Sequence, residues 1–263
     1  MNESVCTKLP DLQAYLTRIG LAGREFPLTV ESLGEIINSH LCHIPFENLD
    51  SWDARKAPSL ALDALFDKIV LHRRGGWCYE QNCLLHALLS ELGFEVYPVG
   101  VRVMLGHDSI AAISHRGEIC VLDGKHYYCD VGFGSELFRT ALPLDGTVNP
   151  YGFFVRKEGK YHVVYKHPEA PQRLLMFVDE PYEPVDYEYA NYANAMQPGL
   201  LFHEHLYLSF LMPDGSRNVV LDKNFKTVRG DQLICSYVLE DTAAVQKALS
   251  EHFAIDYTLT REI

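Results

Sequence analysis

The apolar residues of this chain change their repeat once, near residue 93, and that change limits the fold more than any other feature of the sequence. Before it, apolar side chains recur at helical spacing. In "LPDLQAYLTRIG", Leu12, Tyr15, Leu16 and Ile19 form one stripe, with Pro10 near the start and Gly20 as the stop. Thr29 stands where it would cap a second helix with the apolar face Leu33, Ile36, Ile37 and Leu41, and Leu62, Leu65, Phe66, Ile69 and Val70 mark a third. A fourth begins around Cys78, turns Leu85, Leu88, Leu89 and Leu92 inward and ends at Gly93. From residue 94 the repeat is two: Val99, Val101, Val103 and Leu105 alternate with polar or small residues, and "LDGK" and "KEGK" supply hairpin turns. Strands continue through "YGFFVRKEGKYHVVYKH" and "RLLMFV" to "DEPYEPVDYEYANYANAMQPG", an acidic connector that ends in a helix. A further hairpin turns at Asp214 and Gly215, and residues 241 to 253 form a last amphipathic helix. Helices first and sheet second make the expected class α+β, and 263 residues are modest for two independent domains.

Charge and cysteine usage narrow the function. A net charge of −12 excludes nonspecific binding to nucleic acid, because a polyanion is repelled at long range, yet it leaves room for an anionic small ligand. The start "MNESVCTKLPDLQ" lacks a signal-peptide pattern and no apolar run reaches the length of a membrane span, so a cytoplasmic protein without membrane partners is expected. Seven cysteines (Cys6, Cys42, Cys78, Cys83, Cys120, Cys129 and Cys235) without CxxC spacing point to reduced thiols rather than disulfides or zinc.

One of those thiols stands apart. In "HRRGGWCYEQN", residues 72 to 82, Cys78 follows two arginines and two glycines and opens a helix. The helix N-terminus and the upstream cations both favour a thiolate, and Gly75 and Gly76 leave room for a carbonyl to approach. The plain alternative is a cysteine buried beside a tryptophan. A partner base comes from "SHRGEICVLDGKHYYCDVGFG". With Asp123 and Gly124 as a two-residue turn, paired residues have numbers summing to 247, so His115 sits opposite Gly132 and diagonal to Asp130 on the same face. Asp130 then orients the imidazole, which takes the thiol proton, giving nucleophile, base and orienter. The alternative has His115 capping a strand and Asp130 paired with a surface lysine. The glycines around Phe133 suggest backbone held close to a ligand. His203 and His205 on one strand face have no third ligand at recognisable spacing, so no metal is expected, and Cys83 reads as packing.

"RGGWCYEQN" resembles the active-site motif of the arylamine N-acetyltransferases, and "IPFENLD" (44 to 50), "SH" (114 to 115) and "DVGFG" (130 to 134) resemble that family's other blocks in order and spacing. Residues 10 to 145 carry most of the resemblance. It implies an N-terminal helical bundle (1–93), a central β-barrel with a connecting helix (94–200) and a C-terminal α/β lid (201–263). It implies catalytic Cys78, His115 and Asp130, with the sulfur acetylated by acetyl-coenzyme A. Phe46 and Phe133 match positions lining the pocket for an arylamine or hydrazine acceptor, Ser114 and Gly134 match positions near the donor's pantetheine, and Glu47 and Arg74 would form a structural ion pair. Where many members have a Ser-Pro-x-Ser-x-Phe-like segment, this chain has "MQPGLLFHEH", and Ser114 replaces the more usual threonine. Three rival readings are a chain-releasing amide synthase of the same superfamily, a papain-like or transglutaminase-like thiol hydrolase, and a noncatalytic binding module.

Overall fold

The computed structural model describes residues 8–263, so Cys6 lies outside the described residues. Helix α1 (Leu12–Arg18) is capped by Asp11, whose carboxylate accepts the Ala14 N–H, and it stops where Gly20 adopts a φ of 76°. Helix α2 (Val30–His43) starts at Thr29, whose hydroxyl accepts the Ser32 N–H. A two-residue strand, β1 (Phe46–Glu47), and a short helix, α3 (Leu49–Trp52), precede α4 (Leu62–Leu65), which widens into a π-helical turn over Phe66–Leu71. Helix α5 (Cys78–Glu91) completes the bundle. The stripes expected from the 3.6 repeat meet: Leu16, Ile36, Ile37, Leu65, Ile69, Leu85 and Leu88 are buried in one core.

Strands β2 (Glu95–Val103), β3 (Ile113–Leu122), β4 (Lys125–Cys129), β5 (Leu142–Pro143), β6 (Phe153–Glu158), β7 (Tyr161–Lys166) and β8 (Gln172–Phe177) form an antiparallel sheet in the order β5-β4-β3-β2-β8-β7-β6. Its edge strands β5 and β6 approach each other, so the sheet curls into a nearly closed barrel filled by Val99, Val101, Ile119, Leu142, Val155 and Leu175. The β3–β4 register pairs Glu118 with Cys129 and Leu122 with Lys125, the sum of 247 that a two-residue Asp123–Gly124 turn requires, and both turn residues have positive φ.

The connector ends in α6 (Asp186–Met196) and a single turn, α7 (Leu201–Glu204). Strands β9 (Tyr207–Leu211), β10 (Arg217–Leu221), β11 (Asn224–Arg229) and β12 (Gln232–Val238) then form a second antiparallel sheet, followed by α8 (Thr242–Phe253). This sheet differs from the sequence reading in two ways. Strand β1 joins it, with Phe46 opposite Ser209 and Glu47 opposite Leu208, so "IPFENLD" is tied to the C-terminal segment. Strands β11 and β12 were not expected: β12 is exposed at every position and β11 buries Phe225 alone, so neither shows the wet and dry alternation that reveals a strand. Among the described residues, no helix is long and apolar enough to cross a membrane.

Candidate active site

Cys78 is the first residue of α5, with its side chain at the positive end of fourteen aligned residues. The loop before it is fixed on several sides. Gly76 N–H donates to the Pro45 carbonyl at 3.3 Å and Glu47 N–H donates to the Gly76 carbonyl at 3.0 Å, which lays the loop along β1. Only glycine fits at 75, where a Cβ would stand 2.2 Å from the Pro45 carbonyl oxygen. Trp77 N–H donates to the Glu80 carboxylate at 3.0 Å, satisfying one orphan donor at the helix start.

Glu47 and Arg74 lie where an ion pair was expected, with Arg74 Nη2 at 2.6 Å and Nε at 3.0 Å from Glu47 Oε1. Lys68 joins them, at 2.8 Å from both Asp50 and Glu80 and 3.7 Å from Glu47. The cluster anchors the loop around a fully buried Glu47 carboxylate, with both cations largely covered. Replacing Glu47 with glutamine therefore lowers stability by about 3 kcal/mol, because it leaves buried cations short of a carboxylate. Urea unfolding checks this: a midpoint equal to that of the wild type rules out a structural role for the pair.

His115 leaves β3 toward the sulfur, and its Nε2 donates to Asp130 Oδ2 at 2.7 Å. The Cys78 sulfur lies near enough to the ring to favour its charged form. All three groups are buried, with Cys78 at 4%, His115 at 2% and Asp130 at 2% exposure. Burial disfavours both charges, yet the Asp130 carboxylate and the Cys78 sulfur hold the His115 imidazole up to about 10. Burial likewise opposes the Asp130 carboxylate, but the imidazolium and hydrogen bonds from Asn82 and Tyr128 hold it below the usual carboxylate range. The strand-cap and surface-lysine alternatives for His115 and Asp130 do not match these contacts.

Asn82 and Tyr128 went unassigned in the sequence, although spacing held a signal for both. Asn82 lies one helical turn beyond Cys78, donates to Asp130 Oδ1 at 2.9 Å and accepts the Val131 N–H at 2.9 Å. Tyr128 shares a strand face with Asp130 and donates to Oδ2 at 2.7 Å. Two further residues act at a distance. Arg18 donates to the backbone carbonyls of His43, Ile69, Arg73 and Arg74, and Gln81, held by His40 at 3.1 Å, donates to the carbonyls of Pro45 and Gly76. Long polar side chains that reach main chain up to 56 residues away for Arg18 and 36 for Gln81 leave no local pattern to read.

Gly132 corrects one expectation. A Cβ there would stand 2.5 Å from the Cys78 Cα, so this glycine admits the start of helix α5 itself rather than a ligand. Gly134, with φ of 68°, lies against the Phe46 ring, and its carbonyl accepts from Arg217 Nη1 at 2.9 Å. Phe133 packs edge-on against His115 at 5.6 Å between ring centroids. Phe46, Trp77, Tyr79 and Tyr187 are buried with Cys78, and Phe202 and Tyr207 pack against that group. Phe202, from the altered "MQPGLLFHEH" segment, stands 5.5 Å from Phe46 and 5.7 Å from Trp77 between ring centroids. The carbonyl of Ser114 accepts from Asn194 at 3.2 Å, which links β3 to α6.

His203 and His205 do not share a strand face. His203 lies in α7 with Nδ1 on the Ala195 carbonyl, while His205 caps that helix and bonds Asp222 at 2.7 Å. Among the described residues no group of three or more His, Cys, Asp or Glu side chains is arranged to hold a metal ion, and six cysteines are free.

The N-acetyltransferase family profile matches residues 29–262. An arylamine N-acetyltransferase from Mycolicibacterium smegmatis is 34% identical over 259 residues, covering 94% of this chain and 92% of that protein. The arylamine N-acetyltransferase structure from Salmonella typhimurium superposes with a TM-score of 0.88 at 27% identity, covering 97% of this chain and 94% of the other. The Mycobacterium marinum arylamine N-acetyltransferase, solved in complex with CoA, gives a TM-score of 0.85 at 30% identity, with 93% of each chain covered. Matched over nearly its whole length in sequence and in fold, the chain belongs to the arylamine N-acetyltransferase family.

Proposed function

We propose that this chain transfers an acetyl group from acetyl-coenzyme A to an arylamine, hydrazine or N-hydroxyarylamine by a ping-pong route through Cys78. The observation that carries the reading is the convergence of Cys78, His115 and Asp130 from a helix, a strand and the segment after β4 at one buried point, where the imidazole is hydrogen-bonded to the carboxylate and feels the sulfur. In the first half-reaction the Cys78 thiolate attacks the thioester carbonyl, backbone donors at the start of α5 steady the oxyanion, and the C–S bond to coenzyme A breaks. The imidazolium of His115 gives its proton to the departing coenzyme A thiolate. In the second, the amine nitrogen attacks the acetyl-cysteine, neutral His115 takes the amine's proton and the Cys78 thiolate leaves.

Phe46 and Phe133 hold the acceptor ring by apolar burial and stacking, which suits weakly basic aromatic amines because they stay neutral near pH 7. Ser114 and Gly134 face the donor's pantetheine, and the Glu47–Arg74 pair steadies the loop ahead of the nucleophile. A relative solved with CoA supports an acyl-coenzyme A donor. Free cysteines suit a reducing compartment, and we assign the chain to the cytoplasm on that ground. Intact mass tests the reading: incubation with acetyl-coenzyme A gives an adduct of one acetyl group on Cys78, and adding an aromatic amine removes it. An adduct lost equally fast in water alone would indicate a hydrolase instead.

A further inference from the structure

We infer that Tyr128 is a positioning residue of the acetyl-transfer site, sharing the Asp130 oxygen that binds His115 and seated in a gap that Gly117 leaves open. The inference rests on the Cys78–His115–Asp130 reading and extends it.

Asp130 Oδ2 accepts two short hydrogen bonds, from His115 Nε2 at 2.7 Å and from the Tyr128 hydroxyl at 2.7 Å. Oδ1 accepts from Asn82 at 2.9 Å and from the Gly132 N–H at 2.8 Å. The phenol is fully buried, with its ring stacked on Phe177 at 4.9 Å and edge-on to Phe138 at 6.0 Å. A Cβ at Gly117 would stand 2.5 Å from the hydroxyl oxygen and 2.5 Å from a ring carbon. No turn or positive φ asks for glycine at this point in the middle of β3. Room for the phenol is what it provides.

A carboxylate oxygen that serves two donors pulls less strongly on each. The hydroxyl thus does two things. It fixes the plane of the carboxylate, and it tempers the hold of Asp130 on the imidazolium, so that His115 can give up its proton when coenzyme A leaves. Tyr128 and His115 meet at Asp130 Oδ2; Asp130, Cys78 on α5 and Glu118 on β3 act electrostatically on Tyr128, and Asp130 and Cys78 on His115. None of the others donates a hydrogen bond to Oδ2.

The test compares the full-length wild type with Tyr128→Phe and Gly117→Ala at pH 7. Proton NMR reads the His115 Nε2–H, assigned by its loss in His115→Asn, and rapid quench reads the rate of Cys78 acetylation. Tyr128→Phe keeps the ring and its stacking, so the fold persists; its Nε2 proton moves downfield as Asp130 tightens on the ring. Acetylation at saturating donor slows by roughly three- to tenfold with the donor's half-saturation unchanged. Gly117→Ala, by displacing the hydroxyl, moves both in the same direction. An Nε2 resonance that stays in place or moves upfield in Tyr128→Phe, or an unchanged acetylation rate, overturns the inference. Wild-type protein with no acetyl adduct on Cys78 overturns the acetyl-transfer reading itself, a failure distinct from an adduct that forms equally fast with and without the hydroxyl.

Discussion

Replacing Cys78 with alanine abolishes acetyl transfer, lowering single-turnover acetylation of an aromatic amine by at least ~10⁴-fold, while the protein stays folded. No other group in the buried line can carry the acetyl: His115 is committed to Asp130 through Nε2, and Asp130 accepts donors on both of its oxygens. What remains is direct transfer between bound substrates, without a covalent intermediate and with only the binding and oxyanion contributions. The folding cost is small. The substitution removes one buried sulfur and leaves the approach of Gly132 to the Cys78 backbone untouched, so about 1 kcal/mol of packing is lost, worth a few degrees of melting temperature in a chain of this size. Intact mass and rapid-quench kinetics decide the matter. An acetyl adduct on the alanine variant, at Cys83 five residues on or anywhere else, would show that the nucleophile had been misassigned.

The sequence carried the local parts of this site better than the distant ones. The start of α5 at Cys78, the Asp123–Gly124 turn and the register that follows from it rest on short-range chemistry, and the β3–β4 pairing agrees with the 247 sum. The hydrogen bond from His115 to Asp130 was therefore legible as geometry. Its meeting with Cys78 was not, because the approach of β3 to α5 is set by tertiary packing. Here the family blocks supplied what spacing could not. Gly132 shows the limit from the other side: a glycine next to an aspartate and an aromatic residue reads as room for a ligand, yet it makes room for the start of α5.

The polar supports were less visible for a related reason. Arg18 holds the 73–74 carbonyls from a helix whose sequence signals only its apolar stripe, and a charged residue on such a helix reads as solvated unless its reach is known. Buried charge of this kind depends on carbonyls that a turn leaves unpaired, which are defined only once the chain has folded. Strand β12 escaped notice because both its faces are wet, whereas β9 and β10, with Leu208, Leu211, Val219 and Val220 buried, announced themselves.

Replacing Asp130 with asparagine lowers the acetylation rate by roughly 10³- to 10⁴-fold, the scale seen when the orienting carboxylate of a triad loses its charge. The contacts explain why so small a change is so costly. Asp130 accepts four donors: His115 Nε2 and Tyr128 on one oxygen, Asn82 and Gly132 on the other. An amide has one acceptor oxygen, so its NH₂ must face one of those donor pairs. If it faces Nε2, the ring turns to the tautomer that carries its proton on Nδ1 and no longer receives one from the sulfur. If it faces Asn82 and Gly132, the turn that brings Asp130 to the ring is disturbed. The charge itself has a second signature. His115 is raised from an ordinary 6.5 to about 10, so its contribution to stability is complete below 6.5 and is lost progressively as pH rises toward 10. Asp130 is lowered from 3.8, so its contribution is complete above that value and is lost as pH falls through its depressed folded value. Together they make the stability gap between wild type and Asp130→Asn widest between about pH 4 and 6.5, narrowing on both sides. Urea melts at intervals from pH 3 to 10 read this directly; a gap that stays constant across the range would mean that no ion pair joins residues 115 and 130.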